Sequence, residues 1–273
     1  AHEVHHSIQL RYGTGTSGSP GNYIYNLWFF EQTATYMENV IFPNSNHLYT
    51  MLANCDVVTP LTYTNHGVDY PAELYPYRSA LWQKFLVESL DDSSIVRYMW
   101  EDYGIKYAEG NAVSLFPIYN TAIEKVTDNN FSLSDAYADY AIWRYFTGSR
   151  SIPNEYFNES FSYCSASTEN NFENSFTLST NKGSSRFINL PSENLDLLIT
   201  TDYSNDINFI HLKINQNNDI YFDNLSQNNS FSTISDDTNI LIANANYSNY
   251  EESINVIFNV SESNSIIGDA NND

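Results

Sequence analysis

At about residue 160 the texture of this chain changes, and that change limits the folds open to it more than any other feature. Before it, Trp, Tyr, Leu and Ala recur at helical spacing. The runs 1–11, 27–40, 78–90, 94–103, 111–126 and 133–147 are predicted as helices. Asp91-Asp92-Ser93-Ser94 offers oxygen acceptors for the unpaired N–H groups that open the fourth, and Ser132 and Ser134 do so for the sixth. A glycine-rich loop over 13–21 separates the first two helices, and a longer connection over 53–76 holds Pro60, Gly67, Pro71 and Pro76.

After residue 160, Asn, Ser, Asp and Thr dominate and short alternating runs replace the helical pattern. Ile210, Leu212 and Ile214 alternate with His211 and Lys213; Ile254, Val256, Phe258 and Val260 alternate with Asn255 and Asn259. With 184–189, 195–202, 219–222 and 239–245 these read as short strands between polar turns, the pattern of a β-sandwich. The expected class is α+β: a mostly helical region over 1–160, an antiparallel β-sandwich over 161–262, and a linker over 263–273. An interface between two such domains is expected to be modest and polar.

Charge removes some partners. Against 33 Asp+Glu stand only 11 Lys+Arg, a formal net charge of −22. Nucleic-acid backbones and anionic membranes are bound by Lys and Arg displacing counterions, so both are excluded as partners. No run of about 18 apolar residues spans a bilayer. The two cysteines, Cys55 and Cys164, form no C-x-x-C pair; they read as two buried thiols, with a disulfide as the alternative.

The chemistry is concentrated at the start of the chain. His2-Glu3-Val4-His5-His6 has the form H-E-x-x-H. On a helix, residues i and i+4 share a face, so both imidazoles reach one metal ion. Glu3 then lies beside the ion without ligating it, where a carboxylate can take a proton from a water that zinc has acidified. His5 points about a third of a turn away and reads as a residue behind the ligands or on the surface. A catalytic zinc needs a third protein ligand. In Leu27-Trp28-Phe29-Phe30-Glu31-Gln32-Thr33-Ala34 a carboxylate is embedded in an apolar helix, costly to bury unless paired or metal-bound. Glu38, two turns along the same face, is the rival third ligand, or orients a ligand histidine from behind.

The order H-E-x-x-H followed by W-x-x-E-x-x-A resembles the gluzincins, which include thermolysin-like and aminopeptidase N-type enzymes. The resemblance implies His2, His6 and Glu31 as zinc ligands and Glu3 as general base. The gap from His6 to Glu31 is longer than in the best-known members, an excess the glycine-rich loop can absorb. Tyr77-Arg78-Ser79-Ala80-Leu81-Trp82 and Trp143-Arg144-Tyr145-Phe146-Thr147-Gly148-Ser149-Arg150 are similar to segments of uncharacterised secreted bacterial metallopeptidases. The matches span about residues 1–160. They imply a secreted or cell-surface zinc peptidase acting on a peptide or protein substrate. Such enzymes use a donor for the oxyanion that forms in acyl transfer, and by chain order Tyr77 and His66 are the candidates, with Tyr75 behind them. Arg78 and Arg144 read as surface residues, with pairing to acidic groups around the site as the alternative.

The chain opens inside the motif, at Ala1-His2-Glu3, and is expected to be truncated there, so targeting signals carry no information. At the other end, Gly268-Asp269-Ala270-Asn271-Asn272-Asp273 places oxygen ligands at positions 1, 3 and 5 of a calcium loop and resembles the opening of a dockerin-type repeat. The loop lacks its later ligands, so it would not hold Ca2+ tightly. A rival function from another class is a surface interaction protein whose β-domain binds glycans or proteins and whose zinc site is vestigial.

Overall fold

The computed structural model describes residues 1–13, 26–45, 47–110, 113–170, 175–202, 207–226, 230–245 and 256–262. Most of the glycine-rich loop and the whole calcium-like tail lie outside these residues. Among the described residues eight α-helices come first: α1 (His2–Gln9), α2 (Leu27–Ile41), α3 (His47–Ala53), α4 (Tyr75–Arg78), α5 (Ala80–Leu90), α6 (Ser94–Ala108), α7 (Leu115–Val126) and α8 (Leu133–Tyr145). Eight described strands follow: β1 (Ser175–Thr180), β2 (Ser185–Asn189), β3 (Asp196–Thr201), β4 (Ile207–Ile214), β5 (Ile220–Leu225), β6 (Ser230–Ser232), β7 (Thr238–Ala245) and β8 (Val256–Glu262). The α+β class expected from the sequence is the class observed. No helix among the described residues is long and apolar enough to cross a membrane.

Local chemistry accounts for several boundaries. Asp91 closes α5 in the left-handed conformation, at φ 50°. Asp92 Oδ1 accepts from the Ser94 N–H at 2.8 Å and so opens α6. Ser132 and Asp135 form a reciprocal capping box at the start of α8. The predicted helix over 78–90 breaks at Ser79, whose hydroxyl donates to the Pro76 carbonyl at 2.9 Å instead of remaining free. The short helices α3 and α4 fall inside or beside segments read as connection, being too short for a periodicity to register.

α2 is the hub of the helical part, buried from Trp28 to Tyr36 on every side. Gln32 there is satisfied internally: it donates to Ser79 Oγ at 3.1 Å and accepts from the Tyr119 hydroxyl at 2.7 Å.

The strands form two four-stranded antiparallel sheets, ordered β2-β7-β4-β5 and β1-β8-β3-β6. Ile188, Phe209, Leu241 and Ala243 of the first sheet pack against Leu197, Ile199, Phe258 and Val260 of the second. The opposite face of the first sheet carries Phe187, Ile210, Leu212, Ile240 and Ile242, which join the core of the helical part. The first sheet is therefore the middle layer of three, with β4 and β7 buried on both faces and the edge strand β5 largely exposed. The interface between helices and sheet is apolar and continuous, which corrects the modest polar boundary expected. The alternation of β4 was read from Ile210, Leu212 and Ile214 alone; Ile207, Phe209 and His211, of the other parity, are buried as well.

Polar ties reinforce this junction. Arg144, 1% exposed, donates to the Pro60 carbonyl at 3.0 Å and to Ser185 Oγ at 2.7 Å, clamping the long connection onto β2. Arg78, also buried, donates to the Val58 carbonyl at 2.8 Å. Both arginines are thus internal struts and not the surface residues expected. Cys55 and Cys164 form a disulfide with Cα atoms 5.5 Å apart, so the reading of two free thiols is corrected. Sequence alone does not bring together two residues separated by 109 positions.

Candidate metal centre

α1 presents His2 and His6 on one face, and α2 crosses it so that Glu31 faces both. His2 Nε2 lies 3.0 Å from Glu31 Oε2, His6 Nε2 3.4 Å from the same oxygen, and the two Nε2 atoms are 3.0 Å apart. Among the described residues this is the group of His, Cys, Asp and Glu side chains close enough to share a metal ion. Donors about 2.0–2.1 Å from a tetrahedral zinc are about 3.3 Å from one another. The triangle of 3.0, 3.0 and 3.4 Å fits that figure.

The outer nitrogens of both rings are engaged. His2 Nδ1 meets Glu38 Oε1 at 3.2 Å and its Nε2 meets Glu31 Oε2 at 3.0 Å, so each ring nitrogen faces a carboxylate acceptor. His6 Nδ1 meets Gln9 Oε1 at 2.6 Å. Glu38 also contacts His47 Nδ1 with its other oxygen, so one carboxylate joins α1, α2 and the start of α3. Glu38 is thereby placed behind His2 and outside the trio, the second of the two roles weighed for it.

The charges respond to this packing. A hydrogen bond donated by His6 to Glu31, together with smaller contributions from Gln9 and nearby carboxylates, raises the pKa of His6 against the opposing effect of burial. Burial is the largest influence on Glu31 and pushes its pKa up. The hydrogen bonds and positive charge of His6 and His2 outweigh it and hold the carboxyl below its ordinary value. Three acceptor atoms this close repel one another unless a cation or a proton lies among them.

The remaining candidates divide. Glu3 is exposed on α1 beside the trio. The Tyr77 ring stacks on His2 with centroids 5.6 Å apart and planes 15° from parallel. His66 is outside the trio: it is held between Tyr63 and Tyr70, with centroids at 5.6 and 3.8 Å, and burial lowers its pKa. Tyr75 is buried and donates to the His66 carbonyl at 3.2 Å. His5 is neither a surface residue nor a second layer behind the ligands. It packs edge-on against Trp100, lines an apolar cavity of about 370 Å³ between α1, α2 and α6, and burial lowers its pKa to about 4.

Two residues of the centre were not anticipated. Gln9 shares the helical face of His2 and His6, a signal that spacing alone offers. His47 has no local signal, because only the turn after α2 brings it to Glu38. No protein-family model, curated protein or solved structure matches the chain.

Proposed function

We propose that this protein is a zinc-dependent hydrolase of peptide bonds, with His2, His6 and Glu31 as metal ligands. The observation that carries the reading is the convergence of three acceptor atoms within 3.0–3.4 Å, with both histidines backed on their outer nitrogens. The donor set suits zinc: two imidazoles and one carboxylate are the ligands of His₂Glu peptidase sites. Zinc held there would acidify a water to a pKa of about 7 and polarise a carbonyl.

This chain's own residues do the rest. Glu3, in the next helical position after His2 and free of the trio, takes the proton and passes it to the departing amine. Tyr77, stacked on His2, directs its hydroxyl toward the oxygen on which charge develops. Glu38, fixed between His2 and His47, keeps the His2 ring oriented and its Nε2 basic. The Cys55–Cys164 disulfide supports an oxidising, extracytoplasmic setting, since such bonds are rare in reducing compartments.

The test is zinc content and peptide turnover of the purified protein. One tightly bound zinc per chain, with cleavage abolished by a chelator and restored by zinc, is expected. A protein that takes up no zinc refutes the metal reading. Zinc with no turnover of a broad peptide mixture would leave the metal site and remove the peptide substrate.

A further inference from the structure

We infer that Gln9 is a positioning residue for this site, setting the tautomer of His6 and locking α1 onto α2 with one side chain. The inference rests on the metal reading above and adds a residue that neither motif contains.

Gln9 ends α1, is 1% exposed, and uses both ends of its amide. Its nitrogen donates to the Phe30 carbonyl at 3.0 Å and to Thr33 Oγ1 at 2.9 Å. Thr33 cannot be the donor in that second bond, because its hydroxyl hydrogen is given to the Phe29 carbonyl at 2.8 Å. Both amide hydrogens are therefore committed to α2. Flipping the amide would set its oxygen against the Phe30 carbonyl. Oε1 is thus held toward His6 Nδ1, and an amide oxygen only accepts. Neutral His6 must carry its hydrogen on Nδ1, leaving the Nε2 lone pair directed at His2 and Glu31.

The two ligand histidines are consequently backed by unlike groups. His2 has a carboxylate, Glu38; His6 has a neutral amide whose own orientation is decided by α2 backbone. Phe30, whose carbonyl anchors Gln9, directly precedes Glu31. The same side chain therefore sets the tautomer of one ligand and the position of the helix that supplies another. Outer partners of this kind typically contribute 10–100-fold to metal affinity.

The experiment compares Gln9→Met and Gln9→Glu with the wild type by zinc competition against a chromophoric chelator. Circular dichroism on each confirms folding. Gln9→Met keeps the length and removes every hydrogen bond, and zinc affinity is expected to fall about 10–100-fold. Gln9→Glu still accepts from His6 Nδ1 and, protonated on the second oxygen, donates to Phe30; it should bind zinc more tightly than Gln9→Met. A residue needed only for its donor bonds to α2 would give the reverse order, since Glu brings a buried charge and fewer donors. That order overturns the inference.

Ring ¹⁵N chemical shifts of neutral His6 in the metal-free wild type keep the idea testable if a variant fails to fold. An Nδ1–H tautomer is expected, and an Nε2–H tautomer overturns the inference. A wild type that binds no zinc but shows the Nδ1–H tautomer removes the metal reading while leaving the role of Gln9 toward His6 in place.

Discussion

Glu38 sits on the ring nitrogen of His2 that faces away from Glu31, its Oε1 3.2 Å from Nδ1. The His2 ring is thereby held between two carboxylates, one on each nitrogen, and Tyr77 covers one of its faces. Glu38→Ala should remove the acceptor from Nδ1 and lower zinc affinity about 10–100-fold without unfolding the protein. His47→Ala should cost less than about 10-fold, because His47 steadies Glu38 and touches no ligand. Chelator competition measures both. Wild-type affinity in Glu38→Ala would sink the proposed role.

Glu3 lies between His2 and His6 in sequence and outside the trio in space, so on the proposed reading chemistry and metal binding should separate. Glu3→Gln is expected to keep zinc and lose at least about 10²–10⁴-fold in turnover, since an amide takes no proton. His6→Ala and Glu31→Ala should lose the metal itself. Near-normal cleavage by zinc-loaded Glu3→Gln would rule out Glu3 as the base. Tyr77→Phe preserves the stack on His2, so a fall of about 10²-fold in kcat would identify its hydroxyl as the oxyanion donor. An unchanged kcat would reduce Tyr77 to packing.

His211 gives the fold a predictable pH response. It is 1% exposed, donates from Nε2 to Asn239 Oδ1 at 3.1 Å, and burial lowers its pKa from the ordinary 6.5. The folded state therefore binds this proton less readily than the unfolded chain. The stability contributed by neutral His211 is complete above pH 6.5 and is lost as pH falls from there toward the lowered folded value. Melting temperatures of wild type and His211→Gln should diverge least near pH 5 and most above pH 7. A constant difference across that range would contradict the argument.

The shared core predicts that helices and sheets unfold together. Leu212 is fully buried on the sheet face that meets the helices. Leu212→Ala should cost about 2–5 kcal/mol and lower a single transition monitored by both helical and tryptophan signals. Residues 161–262 produced alone would expose Phe187, Ile210, Leu212, Ile240 and Ile242, and should bind hydrophobic dyes or aggregate. A soluble, cooperatively folded fragment would show that the sheets do not need the helices.

What could be read before any coordinates were features of short range. The period of 3.6 marked six helices, and alternation marked six of the eight strands. His2 and His6 share a face because any helix places i and i+4 together. Glu31 was legible for an energetic reason: a carboxylate among Trp28, Phe29 and Phe30 requires a partner.

The features missed depend on how elements cross. Gln9 reaches Phe30 and Thr33 only because α1 lies across α2, and His47 reaches Glu38 only because the chain turns back after Ile41. His5, which its helical angle places behind the two histidines or on the surface, is buried because α6 brings Trp100 over it. Arg144 looked like a surface charge until the connection over 53–76 and β2 closed on it, carbonyl and hydroxyl oxygens replacing water. Strand periodicity states which residues share a face but not how many faces are covered. The double burial of β4 and β7 follows from helices on one side and a second sheet on the other. Residue identity along the chain therefore specified the donors and the elements that carry them. Their convergence, their tautomers and the common core arise from contacts between segments distant in sequence, which no local pattern encodes.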